Sequence, residues 1–427
     1  MKKTPFSGVF WIANLIEVLE RFAYYGIYFS FGIYMASLGY SKGDLGIIQF
    51  VLLLFSYVIP VITGSMADRW GFKKVMIASY LIYIPAILLL IITKTFSGIA
   101  LTMLGMGLAA GVFKPLVAGT VRAVTDKSNT TLGFGIFYAM VNIGGSFGPI
   151  VLGKLRAVSW NTAFTVAAAT IGLALLITIF LYKEPERQIE GTTLSQKMRD
   201  IWIALSDLKF LLFLIILGLF FWIPFWGFFN LAALYVDESL DTIKLYLAIK
   251  SVLGTAVADF LSRVDENGDR RILGETIAHT GYIIMILQIF ISKIFEKFKA
   301  MPSFLFGLFV ASIGFIVIGI SSIFSPSFVF LGILLFAVGE MISSPRIQEY
   351  ITWIAPKEKA GLYMGANFLA VGFGAFSGLI YTPLYGYFTE YNQPGNVWFV
   401  MAGHLLVGMI VIFIFTKISG GFESQEH

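Results

Sequence analysis

The chain has 427 residues, of which 58% are hydrophobic and only 13% charged, whereas an ordinary soluble domain is about 25% charged. Forty-two Phe cannot all pack inside one globule, so apolar surface must face lipid; at roughly 20 residues per crossing helix the length leaves room for about 12 to 14 spans. The absence of cysteine excludes disulfides and thiolate metal sites, and a net charge of +5 is the modest Lys/Arg excess that cytoplasmic loops need, not a nucleic-acid signal.

Lys2 and Lys3 precede an apolar run too long for a signal-peptide core and lacking a small-residue cleavage site, so the first run reads as a permanent span. Apolar runs divided by Gly, Pro or charge give spans near 8–37, 45–67, 73–93, 97–124, 132–155 and 161–182. A second set follows at 207–236, 272–295, 302–324, 327–354, 359–388 and 395–417. The expectation is an all-α polytopic membrane protein of 12 transmembrane helices, two six-helix bundles (1–182 and 207–427) around a central cavity, joined by a cytoplasmic linker at 183–206.

With both termini inside, the inner loops carry about 18 Lys/Arg and the outer loops about four, the sign the positive-inside rule requires. That places the chain in a bilayer, by expectation a prokaryotic inner or plasma membrane. Residues 238–271 fall on the outer side. The stretch "LDTIKLYLAIKSVLGTAVADFL" has a helical pattern but carries Asp241, Lys244, Lys250 and Asp259, too many charges for a span at about 3 kcal/mol each. It reads as an external or interfacial amphipathic helix.

The loop after the second span, "GSMADRWGFKK", combines a tight turn with an Asp that can meet a helix end and an Arg that can bridge neighbouring helices. Asp68 and Arg69 are therefore candidate gating residues, and the loop resembles the signature of the major facilitator superfamily at Gly64, Asp68, Arg69, Gly71, Lys73 and Lys74. In the first span, "EVLERFAYYG" places Glu17, Glu20 and Arg21 at i, i+3 and i+4 on one helical face. Three ionisable groups at that depth are costly unless they pair and face a wet cavity. A Glu–Glu–Arg cluster can hold or release a proton; the other reading is a structural ion-pair cluster.

"EVLERFAYYG" is similar to the Glu-x-x-Glu-Arg-Phe-x-Tyr-Tyr-Gly motif of the proton-coupled oligopeptide transporters, and "GVFKPLVAGT", "FYAMVNIGGSFGP" and "GEMISSP" resemble further elements of that family in order. The resemblance implies that Arg21 and Lys114 hold the carboxylate end of a peptide and that Glu340 faces its amino end. It further implies that Glu17 and Glu20 join proton coupling, with Tyr24, Tyr25, Tyr28, Tyr138 and Asn142 lining the cavity. The proton would be the coupling ion, with no cofactor, and a monomer would serve as the transport unit.

The seventh span departs from the family. "FFWIPFWGFFN" offers Trp222, Trp226 and Asn230 as lining residues but no carboxylate, and the linker is too short for the two extra helices of many bacterial relatives. In the tenth span Arg346 and Glu349, at i and i+3, form either an inner gate or an interhelical tie. In the outer loop Asp265, Asn267 and Asp269 fall at positions 1, 3 and 5 of a calcium loop, with Glu275 one place short of the last ligand; a polar turn is the alternative. No phosphate-binding Gly loop, metalloprotease helix or nucleophile triad occurs, so an enzyme is not expected. The resulting expectation is a proton-coupled symporter of small peptides or peptide-like zwitterions. Its rivals are a major facilitator carrier of another polar or drug-like solute and a non-transporting membrane receptor.

Overall fold

A computed structural model describes residues 5–126, 129–186, 194–354 and 360–418. The N-terminal run contains α1 (Gly8–Ser37), α2 (Lys42–Val58), α3 (Pro60–Trp70), α4 (Phe72–Ile92), α5 (Phe96–Ala123), α6 (Thr130–Val158) and α7 (Trp160–Phe180). After α8 (Leu194–Leu205) come α9 (Leu208–Leu217) and α10 (Ile223–Ser239), which a π-helical turn at Gly218–Trp222 fuses into one rod. Pro224 follows at once; its ring cannot sit against a preceding helical turn, and the wider π turn relieves that clash.

The remaining spans are α14 (Gly281–Phe295), preceded by the short α13 (Gly274–Ile277), then α15 (Ala300–Ile320) and α16 (Phe328–Ile354). The chain closes with α17 (Ala360–Gly372), α18 (Phe376–Glu390) and α19 (Asn396–Ile418). Eleven helical segments among the described residues are long and apolar enough to cross a membrane. The 30-residue α1, which carries Glu17, Glu20 and Arg21, makes the twelfth. The expected linker is not bare chain, for α8 occupies most of its second half.

By contacts the chain divides into residues 1–34 with 51–197, and 35–50 with 198–427. In the first unit, Gly107 and Gly111 of α5 lie against the backbone of α2, where an added Cβ would meet Leu52 O at 2.7 Å and Phe55 O at 2.6 Å. Packing between apolar helices in a membrane relies on such small residues. In the second unit α15 and α16 approach in the same manner, with Gly314 facing Phe336 and Gly339 facing Gly307.

Prolines supply a second packing device. Each lacks an N–H and so frees the carbonyl four residues earlier in its helix, and a neighbouring helix fills it. Pro60 frees Ser56 O, which accepts Lys114 Nζ at 3.2 Å. Pro115 frees Gly111 O, which accepts Thr63 Oγ1 at 3.3 Å. Pro345 frees Met341 O, which Gln288 Nε2 approaches at 3.5 Å.

The 238–271 segment is more divided than a single amphipathic helix. Asp241 caps α11 (Thr242–Leu253) by accepting the N–H groups of Ile243 and Lys244. Those bonds, chiefly from Lys244 N–H, hold its carboxyl below the usual carboxylate range. Gly254, at φ +86, then turns the chain into α12 (Thr255–Phe260), a backbone angle that disfavours any residue with a Cβ. A hairpin follows, β1 (Ser262–Val264) paired antiparallel with β2 (Arg270–Ile272), with Arg263 opposite Arg271.

Candidate functional site

The first unit gathers its charges around one turn of α1. Arg21 Nε lies 2.7 Å from Glu17 Oε1 and 3.3 Å from Glu20 Oε2, and all three residues are buried. Helical spacing puts the three on one face, and the single guanidinium serves both acids. Tyr83 of α4 donates its hydroxyl to Glu20 Oε1 at 2.8 Å. Glu17 Oε2 is buried without a hydrogen-bond partner among the described residues, an open acceptor in the cluster.

Lys114 adds a second cation from α5. Its ammonium sits 3.5 Å from the Tyr57 ring centre and 5.3 Å from that of Tyr24, in addition to its bond to Ser56 O. Tyr24 in turn pairs with Ser56 Oγ at 3.3 Å and stacks on Tyr28, while Tyr25 meets Tyr24 edge-on. α6 reaches this turn of α1 through small residues: an added Cβ on Gly144 would lie 2.7 Å from Arg21 Cβ. Farther along α6, Asn142 donates its amide to Tyr138 O of its own helix and Tyr138 is exposed. Tyr83, Ser56 and Tyr57 complete the site although no sequence motif singled them out.

In the second unit Glu340 stands on α16 with the Thr280 hydroxyl as partner. Its Oε2 is buried without a hydrogen bond among the described residues. Trp222 is buried on the π-helical turn among Phe221 and Phe225. Asn230 is buried in a polar network. Its amide donates to Ser377 Oγ at 2.8 Å, and its carbonyl accepts Gln49 Nε2 at 3.0 Å. Thr382 donates to Gln49 Oε1 at 2.6 Å, which closes a neutral network.

Of the expected gating residues, the side chain of Asp68 lies outside the described set, and Arg69 is exposed in the last turn of α3. The loop is anchored by a residue that belongs to no motif. Glu184 accepts the N–H groups of Phe72 and Lys73 at 2.8 Å each, at the start of α4. Lys73 Nζ answers by donating to Ile179 O and Tyr182 O at the end of α7. Arg346 pairs with Glu349 at 2.5 Å and also donates to Phe295 O, tying α16 to the end of α14.

The calcium-like spacing serves a different purpose. Asp265 Oδ1 accepts the N–H groups of Asn267 and Asp269, and Oδ2 pairs with Arg271 Nε at 2.5 Å. The Arg271 bond is the main reason the Asp265 carboxyl is held below its usual range. Glu275 is wholly buried in α13, apart from the exposed tip at Glu266–Asp269. Among the described residues no group of three His, Cys, Asp or Glu side chains is placed to hold a metal ion. Asp265 is engaged by its own hairpin turn.

Residues 13–379 match the family model of the Major Facilitator Superfamily. A Na(+), Li(+), K(+)/H(+) antiporter of Planococcus maritimus is 23% identical over 399 residues, covering 88% of each chain. The quinolone resistance protein NorA of Staphylococcus aureus is 24% identical over 209 residues, 49% of this chain and 53% of that protein. A crystal structure of a POT family transporter in complex with 5-aminolevulinic acid has a similar fold, with a TM-score of 0.74 at 18% identity over 96% of both chains.

Proposed function

The chain belongs to the Major Facilitator Superfamily, and we propose that within it this protein is a proton-coupled symporter of small peptides or peptide-like zwitterions. The observation that carries the reading is the pairing of Glu17 and Glu20 on one guanidinium, with Lys114 nearby. With both acids ionised, these four groups sum to zero. One proton leaves them at +1, and the same wall then attracts a carboxylate. A unit pair at 4 Å is worth about 4 kcal/mol at an effective dielectric of 20, enough for proton and anionic ligand to favour each other reciprocally.

Arg21 and Lys114 would take the carboxylate of the solute and Glu340 its amino group. Tyr24, Tyr25, Tyr28, Tyr138 and Asn142 would contact its body, with Trp222 from the second half. Asp68 and Arg69 remain the proposed inner latch. The distribution of Lys and Arg supports cytoplasmic termini, and one chain would form a complete transport unit.

Purified protein in proteoliposomes, energised by an inward pH gradient, tests both parts. Labelled di- or tripeptide should accumulate in the wild type and only equilibrate in Glu20→Gln. Failure of every di- and tripeptide to enter or compete removes the cargo, and undiminished accumulation by Glu20→Gln removes the coupling role.

A second reading rests on the antiporter from Planococcus maritimus, whose resemblance runs along 88% of both chains. The same acids would then exchange an inward proton for an outgoing cation or drug-like solute. In the same vesicles, dissipation of the pH gradient on adding Na+ or K+, without peptide, selects that reading.

A further inference from the structure

The rod formed by α9 and α10 has a gap in its backbone bonding that another helix fills. In the π-helical turn Gly218–Trp222 each N–H reaches back five residues, and the turn closes with Ile223 N–H on Gly218 O. The next bond in that register would run from residue 224 to Leu219 O, but Pro224 has no N–H to give. The Leu219 carbonyl is left over by its own helix, and the imidazole of His404 on α19 donates to it.

α19 comes close enough to the turn for this bond. The His404 ring meets the Phe220 ring edge-on at 5.4 Å, and one turn farther a Cβ on Gly408 would lie 2.5 Å from Phe220 Cβ. On its other side His404 Nδ1 stands 2.5 Å from the Tyr381 hydroxyl of α18. A neutral imidazole has one N–H and one lone pair. With the N–H on Leu219 O, Nδ1 accepts from Tyr381, and the ring is fixed from both sides. The turn held in this way ends on Trp222. A π turn takes one more residue than an α turn, which offsets the side chains on either side of it by about 100°. Trp222 is buried against Phe221 and Phe225, and its indole N–H has no acceptor among the described residues.

We propose that His404 is a positioning residue for solute recognition, a role that rests on the reading in which Trp222 contacts the solute. Its bond to Leu219 O holds the π turn, and the π turn aims the Trp222 indole N–H at a carbonyl oxygen of the solute. His404 itself touches no solute; it acts only through the backbone of α10.

Three changes in the full chain test this. His404→Phe keeps the edge-on ring but removes the N–H, His404→Gln keeps a donor of similar reach, and Pro224→Ala returns the missing N–H to α10. In detergent without solute, the emission of Trp222 is the difference between each protein and the same protein carrying Trp222→Phe. His404→Phe should move that emission to longer wavelength, and His404→Gln should leave it at the wild-type position. In proteoliposomes the KM for labelled dipeptide should rise about tenfold in His404→Phe, the worth of one hydrogen bond, with Vmax held and His404→Gln near wild type. In the Pro224→Ala background His404→Phe should change both readings far less, because Leu219 O then has a donor in its own helix. Unchanged Trp222 emission in His404→Phe overturns the proposal, as does an equal change in His404→Gln or an undiminished effect in the Pro224→Ala background. A KM that stays put while the emission moves removes the role in recognition. If no dipeptide enters the wild type, the peptide reading fails, while the emission still decides whether His404 aims Trp222.

Discussion

The charge cluster of α1 and the network around Asn230 place polar groups among apolar helices by opposite means. The first concentrates charge: Glu17, Glu20, Arg21 and Lys114 lie within two helices, with Tyr83 and Ser56 as neutral partners. The second, around Asn230, uses only amides and hydroxyls, as Gln49, Ser377 and Thr382 close a network without a titrating member. A buried ion cluster changes with every proton it takes or loses, whereas an amide network keeps one pattern at any ordinary pH. The contrast is between one helical face whose charge follows protonation and a neutral network whose pattern does not, although the second unit also holds a buried titratable carboxyl at Glu340.

Breaking the charged side should have the largest effect. Arg21→Ala strands two buried carboxylates, and loss of one partner from a buried pair costs about 3–5 kcal/mol. Proton-driven uptake should fall at least about a hundredfold, and the melting temperature should drop less in acidic than in neutral buffer, because protonation removes the stranded charges. Uptake near the wild-type level would mean that the cluster is structural.

Importing a titrating group into the neutral side gives the next largest effect. Asn230→Asp places an acid beside the Ser377 hydroxyl among neutral amides and hydroxyls, and an ionised carboxylate is costly to bury there. The penalty applies at neutral pH and fades as acid protonates the carboxylate. Melting curves between pH 7.5 and pH 4.5 should therefore converge on the wild type toward the acidic end. Parallel curves would show that the site tolerates charge.

The smallest effect belongs outside the membrane. Asp265 has its carboxyl held low by Arg271, so the pair contributes above the unfolded carboxyl pKa and is lost as pH falls through the folded one. Asp265→Asn should lower the melting temperature slightly at neutral pH and not at all near pH 2. Added calcium should shift neither protein, and a calcium-dependent rise in the wild type alone would restore the metal site.

The parts of this architecture that were legible in the sequence are those written in local spacing. Glu17, Glu20 and Arg21 are close along one helix, and an apolar background exposes them. Tyr83, Ser56 and Glu184 were illegible because their partners lie 63, 58 and about 110 residues away, for Glu20, Lys114 and the start of α4. Asn230 suits both a cavity wall and a helix contact by its type, and its bonds to Ser377 and Gln49 are visible only in three dimensions. At Asp265 the same Asp/Asn spacing that can wrap calcium also closes a hairpin on its own N–H groups. Gly254 was a visible glycine in a helical pattern, yet only its φ of +86 reveals that the helix ends there.

The clamp between Glu184 and Lys73 redraws a boundary. Each side chain neutralises the terminus of a helix to which it does not itself belong, the carboxylate at the positive end of α4 and the ammonium at the negative end of α7. Residues 183–186 are thereby part of the first unit's framework and not of the connection leaving it. For anyone dividing the gene into co-expressed pieces, the natural place to cut falls after Glu186; a cut before Glu184 would remove the carboxylate that holds α4.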